Sequence, residues 1–197
     1  MPEHKTSDRI YAALKSDVMN NQVSIGSINI TSLARRYGTS ATPVREALLR
    51  LVGEILLTLP VTGGFAQAAL TARELGDLYD LSMRLLLTAS KLNGDRAPPL
   101  GQTASELQPP VDALFFQICA WTGNMALAGM MANVNDRLHR ARRVEPLHVV
   151  AVAEEYRLMS NSNGPALRAR IRRYHRRRMQ LAERIVVAVM TVGLRQG

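Results

Sequence analysis

The chain is predicted to be mainly α. It should carry an all-α helical bundle over its C-terminal two thirds and a small N-terminal unit in which helices are followed by a β-hairpin. Three observations predict this. Apolar residues recur at three- and four-residue spacing over most of the chain. The strand-like runs gather in one place, residues 55–69, with Gly63-Gly64 between two apolar segments. From Leu70 onward every periodic segment is helical, with breaks at Gly, Asn and Pro.

The first helix is predicted over residues 7–21. Ser7 is its candidate N-cap, Ile10, Tyr11, Leu14 and Val18 form its apolar stripe, and Asn20-Asn21 ends it. Val23 to Gly26 reads as a turn. The next stretch, Ile28 to Leu51, reads INITSLARRYGTSATPVREALLRL. Asn29 can cap a short helix that places Leu33, Ala34 and Tyr37 on one side, and Gly38 ends it. Ser40 or Thr42 can cap a second helix, with Pro43 in the first turn, where a missing N–H costs nothing. Val44, Ala47, Leu48 and Leu51 then form a stripe, which leaves Arg45 facing outward. Two helices around a Gly turn, with Thr and Arg on the exposed first turn of the second, form a helix-turn-helix. Such a motif puts the start of its second helix into the DNA major groove. Ile55 to Leu59 and Phe65 to Ala69 read as two strands joined at Pro60 to Gly64. A hairpin in this place makes the unit a winged helix-turn-helix.

Thr71 with Glu74 at N3 forms a capping box for a long helix through Lys91, with Leu75, Leu78, Leu81, Leu85 and Leu86 on its apolar face. Residues 93–110 hold Gly94, Pro98, Pro99, Gly101, Pro109 and Pro110 and read as a loop. Helices are predicted at 111–122, 125–143, 147–161 and 165–194. The expected domains are 1–69, which carries the helix-turn-helix and hairpin, and 70–197, which is all-helical.

Composition narrows the function. Over 197 residues the formal net charge is +9, which suits a polyanionic partner. The charge is uneven: residues 1–69 hold 7 basic and 5 acidic residues, and residues 70–197 hold 18 and 11. The half with the helix-turn-helix is the less basic one, so charge alone does not mark the DNA reader. Cys119 is the single cysteine, which excludes an intrachain disulfide and fits a reducing compartment. The N-terminus has no apolar signal region, and no apolar run approaches the roughly 18 residues of a membrane span. A cytoplasmic location with no membrane contact is expected. Cys119 lies in the apolar run FFQICAW and reads as a structural thiol. No phosphate loop, G-x-S-x-G or H-E-x-x-H occurs, so no enzyme and no cofactor is expected.

The residues Leu33-Ala34, Gly38, Ser40 and Thr42-Pro43-Val44-Arg45-Glu46-Ala47-Leu48 resemble the signature of GntR-type transcription regulators. The resemblance extends over the hairpin and implies a double-stranded DNA operator as partner and action as a homodimer. On these positions it implies DNA contacts from Arg35, Arg36, Ser40, Thr42, Arg45, Arg50 and the wing at Gly64. The chain departs from the family where basic residues are common: Ala41, Leu49 and the wing residues Val61, Thr62 and Gly63 are uncharged. Fewer phosphate contacts imply weaker non-specific binding.

The order LTARELGDLYDL, VDALFFQICAWTGN and a final helix with His175 resembles the FadR-type (FCD) effector domain of that family. Residues 93–110 stand where many relatives have a further helix, which resembles the shorter VanR-like branch. The resemblance implies a small-molecule effector and, in many relatives, a metal held by one Asp and three His. Here Asp112 and His175 keep two of those positions, while Phe116 and Tyr156 replace two imidazoles. A metal-free cavity is therefore expected, with Asp112, Tyr156 and His175 facing it within hydrogen-bonding reach and Phe116 lining it; the alternative is that the three form a satisfied internal polar cluster with no ligand. Ser82 and Leu86 stand where relatives carry an Arg and a Glu for an acid effector. The run Arg168, Arg170, Arg172, Arg173, Arg176, Arg177 and Arg178 reads as a solvated helix face, or as a site for DNA phosphate, an acidic partner or an anionic effector. The reading is a sequence-specific regulator controlled by a small molecule. Its rivals are a helical dimeric interaction module with a decayed DNA reader, and a metal-dependent sensor.

Overall fold

The computed structural model describes residues 2–23, 28–94, 96 and 110–194. The turn expected at 24–26 and most of the loop expected at 93–110 lie outside the described residues. The fold is mainly helical, as expected, and divides into two compact units. One is Met1–Ala69 with Met190–Gly197, and the other is Leu70–Val189.

The first unit holds α1 (Pro2–Met19), α2 (Ile30–Arg36), α3 (Ala41–Gly53), β1 (Leu57–Thr58) and β2 (Ala66–Gln67). Ser7 does not cap α1. The helix starts at Pro2, where a proline at the first position loses no hydrogen bond, and the Ser7 hydroxyl instead reaches Glu46 on α3 at 3.3 Å. Asn29 caps α2, accepting from the Ser32 N–H at 2.9 Å. Gly38 follows with φ 62°, a left-handed angle that glycine adopts without penalty. Ser40 holds the N-cap position of α3, but its side chain makes no capping bond. The apolar stripes of α1, α2 and α3 meet in one core with Ile10, Leu14, Leu33, Val44, Leu48 and Leu51, closed by Leu57 and Phe65 from the hairpin.

The hairpin pairs Leu57 with Gln67 and Thr58 with Ala66. Its strands are two residues each, shorter than expected, because Ile55 takes a left-handed turn (φ 61°) off the end of α3 and Gly63 and Gly64 bend the tip. Bonds to neighbouring segments hold it in place, among them Ile28 N–H, just ahead of α2, to Phe65 O at 2.8 Å, and Gln67 Nε2 to Val18 O on α1 at 3.0 Å.

The second unit begins with α4 (Ala72–Leu92), whose capping box forms as predicted: the Glu74 N–H donates to Thr71 Oγ1 at 3.2 Å, and the Thr71 N–H to Glu74 Oε2 at 2.9 Å. Then come α5 (Pro110–Ala120), α6 (Met125–Val144), a 3-10 turn over Glu145–Leu147, α7 (Val152–Ser160), α8 (Gly164–Gln180) and α9 (Ala182–Leu194), which belongs to this unit as far as Val189. The helix expected over 165–194 is two helices. At Leu181 the N–H is shared between the carbonyls of Arg177 and Arg178, which tightens the turn and breaks the run. The helix expected to start at 147 starts at Val152, because Pro146 sits in the 3-10 turn and Ala151 takes a left-handed angle (φ 66°). α4 is central: it packs on α5, α6 and α8.

Removing the Thr71 cap should cost about 1 kcal/mol of stability in Thr71→Ala, because one orphan N–H of α4 loses its acceptor. Urea denaturation of wild type and variant measures it, and an unchanged midpoint would contradict a capping role.

Candidate functional site

Two groups of side chains were singled out from the sequence, one in each unit. In the first unit, the outer face of α3 presents Ala41, Thr42, Arg45, Glu46, Leu49 and Arg50 to solvent. The four arginines expected to contact DNA fall into two kinds. Arg50 donates to Asp8 Oδ1 at 2.8 Å and lies over the Tyr11 ring at 3.8 Å. Arg36 pairs with Asp17 at 3.1 Å and reaches the Gln22 carbonyl at 3.3 Å. Both are spent on holding α2 and α3 against α1. Arg35 and Arg45 are exposed and have no hydrogen-bond or ion-pair partner among the described residues. Ser40, Thr42 and Gly64 are exposed beside them in the chain or on the hairpin tip, as the sequence predicts. The structure therefore keeps all seven expected residues at the surface but separates two free guanidinium groups from two engaged ones.

In the second unit the expected cavity constellation does not form. Asp112 is buried, and its carboxylate pairs with Arg142, an α6 residue that the sequence reading left out. Asn135 completes the group: its Nδ2 donates to the Asp112 carbonyl at 2.9 Å, and its Oδ1 accepts from Arg142 at 2.8 Å. His175 is fully buried elsewhere. Its Nδ1 stands 2.7 Å from the Ile171 carbonyl and its Nε2 3.0 Å from Ser82 Oγ. Tyr156 is half-buried on α7 and is among the partners of neither residue. Phe116 turns outward and is 42% exposed. Its neighbour Phe115 is the buried ring, stacked on the His175 imidazole with centroids 5.4 Å apart and 23° between planes. The correction has a simple cause: neighbouring residues of a helix differ by about 100° of rotation, and α5 is apolar on nearly every side.

A second buried network joins α4, the 3-10 turn, α7 and α8. The Glu145 carboxylate accepts from Tyr79 Oη at 2.6 Å and from Arg178 Nε at 2.9 Å. Arg178 also pairs with Glu155 at 2.6 Å and lies 3.4 Å over the Tyr174 ring. Arg178 is 0% exposed, so the arginine run is not one solvated face. A signal for both networks existed. Asn135 and Arg142 stand at the helical spacing of the buried residues Met131, Leu138 and Ala141, and Arg178 continues the stripe Leu167, Ile171, Tyr174.

Burial and the nearby Arg142 and Arg178 guanidinium groups set the electrostatics here. They push the His175 pKa down to about 3, with burial the larger cause, so the ring is neutral near pH 7. The hydroxyls of Tyr79 and Tyr174 are pushed up, chiefly by burial and then by Glu145. His139 is held neutral by burial, with its Nδ1 3.8 Å from Asp112. Burial also raises the Cys119 thiol to about 12, which removes the thiolate a nucleophile would need. The donors do not fit a transition-metal site. A guanidinium sits on the Asp112 carboxylate, both nitrogens of His175 are engaged, and no group of three His, Cys, Asp or Glu converges among the described residues.

Residues 6–66 match the family described as bacterial regulatory proteins, gntR family. The chain is 33% identical over 101 residues to the uncharacterized HTH-type transcriptional regulator YdhC of Bacillus subtilis (strain 168), covering 51% of this chain and 45% of that protein. It is 43% identical over 70 residues to the Nta operon transcriptional regulator of Aminobacter aminovorans, covering 36% of this chain and 33% of that one. The chain thus spans less than half the length of either relative. Among solved structures, E. coli McbR/YncC aligns over 97% of this chain and 98% of its own with a TM-score of 0.59 at 20% identity, which shows a shared fold.

The neutral His175 predicts a pH dependence. The folded pKa is depressed below the unfolded value of about 6.5, so the unfolded chain binds a proton that the folded chain refuses. Wild type should therefore lose stability relative to His175→Gln as pH falls from 6.5 toward 4, by up to about 1.4 kcal/mol per pH unit. Urea midpoints at pH 7, 6 and 5 measure it; a constant difference between the two proteins would exclude a buried neutral His175.

Proposed function

We propose that the chain is a DNA-binding transcription regulator of the GntR type that acts as a homodimer under control of a small-molecule effector. Its residues 2–23 and 28–69 fold as a helix-turn-helix with a hairpin wing, and the gntR-family match covers 6–66. The observation that carries the reading is the outer face of α3. Its first turns hold Thr42 and Arg45 without hydrogen-bond or ion-pair partners among the described residues, on a helix whose other face is locked into the core. A guanidinium placed there can donate two hydrogen bonds to a guanine edge. A two-fold dimer reading two half-sites about one helical turn apart would supply the affinity that a modestly basic unit lacks.

The helical unit supports effector control in a particular way. Its centre is filled by its own side chains, with Asp112 and His175 serving as anchors for Arg142 and Ser82. An effector would act by preferring one arrangement of the dimer, and so one spacing of the recognition helices. No metal is required by this reading, and the buried arginines oppose one.

Operator binding tests it. Arg45→Ala should cost roughly 1–3 kcal/mol per half-site and relax specificity at one base pair. Arg35→Ala should weaken all sequences alike and lower the salt dependence by about one ion. Arg36→Ala should lower protein stability more than salt dependence, since its charge is already paired with Asp17. Fluorescence anisotropy with a selected operator across a salt series measures all three. Equal operator binding by wild type and Arg45→Ala would reject the reading.

A further inference from the structure

Along α3 the core takes Val44, Ala47, Leu48 and Leu51, each fully buried. Leu49 stands apart from them and is 50% exposed. At about 100° per residue, it lies about 150° round the helix from the middle of that buried stripe. Thr42, seven residues earlier, falls within about 20° of the same line, with Arg45 on one flank and Glu46 on the other. Leu49 thus takes the centre of the outer face, where a side chain contributes least to the core.

A single exposed leucine is ordinary on a protein surface, so exposure alone assigns it nothing. Its register does. A homeodomain reads base edges with recognition-helix residues three, four and seven positions beyond the first. The same spacing, started at Thr42, gives Arg45, Glu46 and Leu49, and all four are exposed. Their neighbours are less free. Glu46 accepts from the Ser7 hydroxyl of α1 at 3.3 Å, and Arg50 is held by Asp8 and the Tyr11 ring. Arg45 and Leu49 remain. They are about 6 Å apart along the helix axis, close to two base-pair steps of about 3.4 Å.

An aliphatic side chain has no donor or acceptor. Against guanine, adenine or cytosine in the major groove it strips water from polar groups and returns nothing. Thymine alone of the four bases presents an apolar group there, its C5-methyl. We infer that Leu49 is a specificity-determining residue, packing on a thymine methyl about two base pairs from the base that Arg45 meets. The inference rests on the proposed DNA reading and goes beyond it, by naming a second reading position on α3 and the base it selects.

The experiment is fluorescence anisotropy of the full chain with an operator selected by the wild type from random duplex. Each thymine of one half-site is replaced in turn by deoxyuridine, which keeps the base pair and lacks only the methyl. At one thymine the replacement should weaken wild-type binding roughly threefold to fivefold, the loss expected when one methyl is left without apolar contact. Leu49→Ala should bind the thymine operator at least about threefold more weakly than wild type, and its uridine penalty at that position should fall below about 1.5-fold. Leu49→Met, still apolar and of similar volume, should keep the penalty. The salt dependence should be the same in all three proteins, since no charge changes. Leu49 is half exposed and alanine is a good helix former, so Leu49→Ala should melt as wild type does. The inference is overturned if no thymine shows a penalty, if the penalty persists in Leu49→Ala, or if Leu49→Ala alters the oligomer mass in light scattering, which would make Leu49 a protein contact. A wild type that binds its operator, loses it in Arg45→Ala and shows no uridine penalty overturns this inference alone. A wild type that selects no duplex overturns the DNA reading with it.

Discussion

The helical unit is governed by two guanidinium groups closed off from water. Arg178 is 0% exposed and Arg142 is 3% exposed. A charge in that setting is tolerable only where opposite charge and hydrogen-bond acceptors surround it. Arg178 therefore needs Glu145 from the 3-10 turn, Glu155 from α7 and the face of Tyr174 from its own helix, and Glu145 in turn takes the Tyr79 hydroxyl of α4. Arg142 needs Asp112 from α5 and Asn135 two turns back on α6, with the Phe115 ring 5.2 Å away. Such pairs add little net stability over a well-packed apolar core, but leaving one half unpaired costs about 3–5 kcal/mol. Their consequence is positional: α4, α5, α6, α7, α8 and the 3-10 turn must sit in the one arrangement that brings a carboxylate to each cation.

The same constraint decides what the interior can host. Two fixed positive charges, together with burial, keep His175 neutral, and its two nitrogens settle on Ile171 and Ser82. A divalent ion at this place would face Arg142 across a carboxylate that Arg142 already holds. The positive charge opposite Asp112 comes from the chain itself. Ser82 then has a clear role: its hydroxyl on α4 stands 3.0 Å from the imidazole Nε2 and gives that nitrogen a partner.

Much of this architecture was legible in the sequence. Asn29, Gly38, Thr71 and Glu74 act through local backbone geometry, which depends on few neighbours, and each does what its residue type predicts. The helix-turn-helix was legible because its stripe, caps and turn agree with one another over 24 residues, Ile28 to Leu51. The bundle interior was harder. In α5 the sequence VDALFFQICA offers no polar face, so no periodicity chooses between Phe115 and Phe116. In α8 seven arginines hide the one that is buried, because an arginine's place depends on acids brought in from α7 and the 3-10 turn. The break at Leu181 has no residue marker at all: a bifurcated hydrogen bond, and no Gly or Pro, ends the helix.

The first unit follows a different logic, that of charge set aside. Its surplus of basic over acidic residues is small, and two of its arginines are consumed by Asp8 and Asp17. On the proposed reading, those pairs do not contribute phosphate contacts; they fix α1 against α2 and α3, so that α3 arrives at the groove already oriented. Preorganisation of this kind lowers the ordering cost of binding. It also shifts the balance between specific and non-specific affinity, since the non-specific part scales with the number of phosphates neutralised. Leu49, half exposed one turn beyond Arg45, adds an apolar surface of the kind that meets a thymine methyl. On that reading, a unit with few free cations, one guanidinium for a base edge and an apolar neighbour would be weak on arbitrary DNA and selective on its own site. Two such readers held at a fixed spacing gain affinity by joint engagement, without the salt-sensitive grip on random sequence that further arginines would bring.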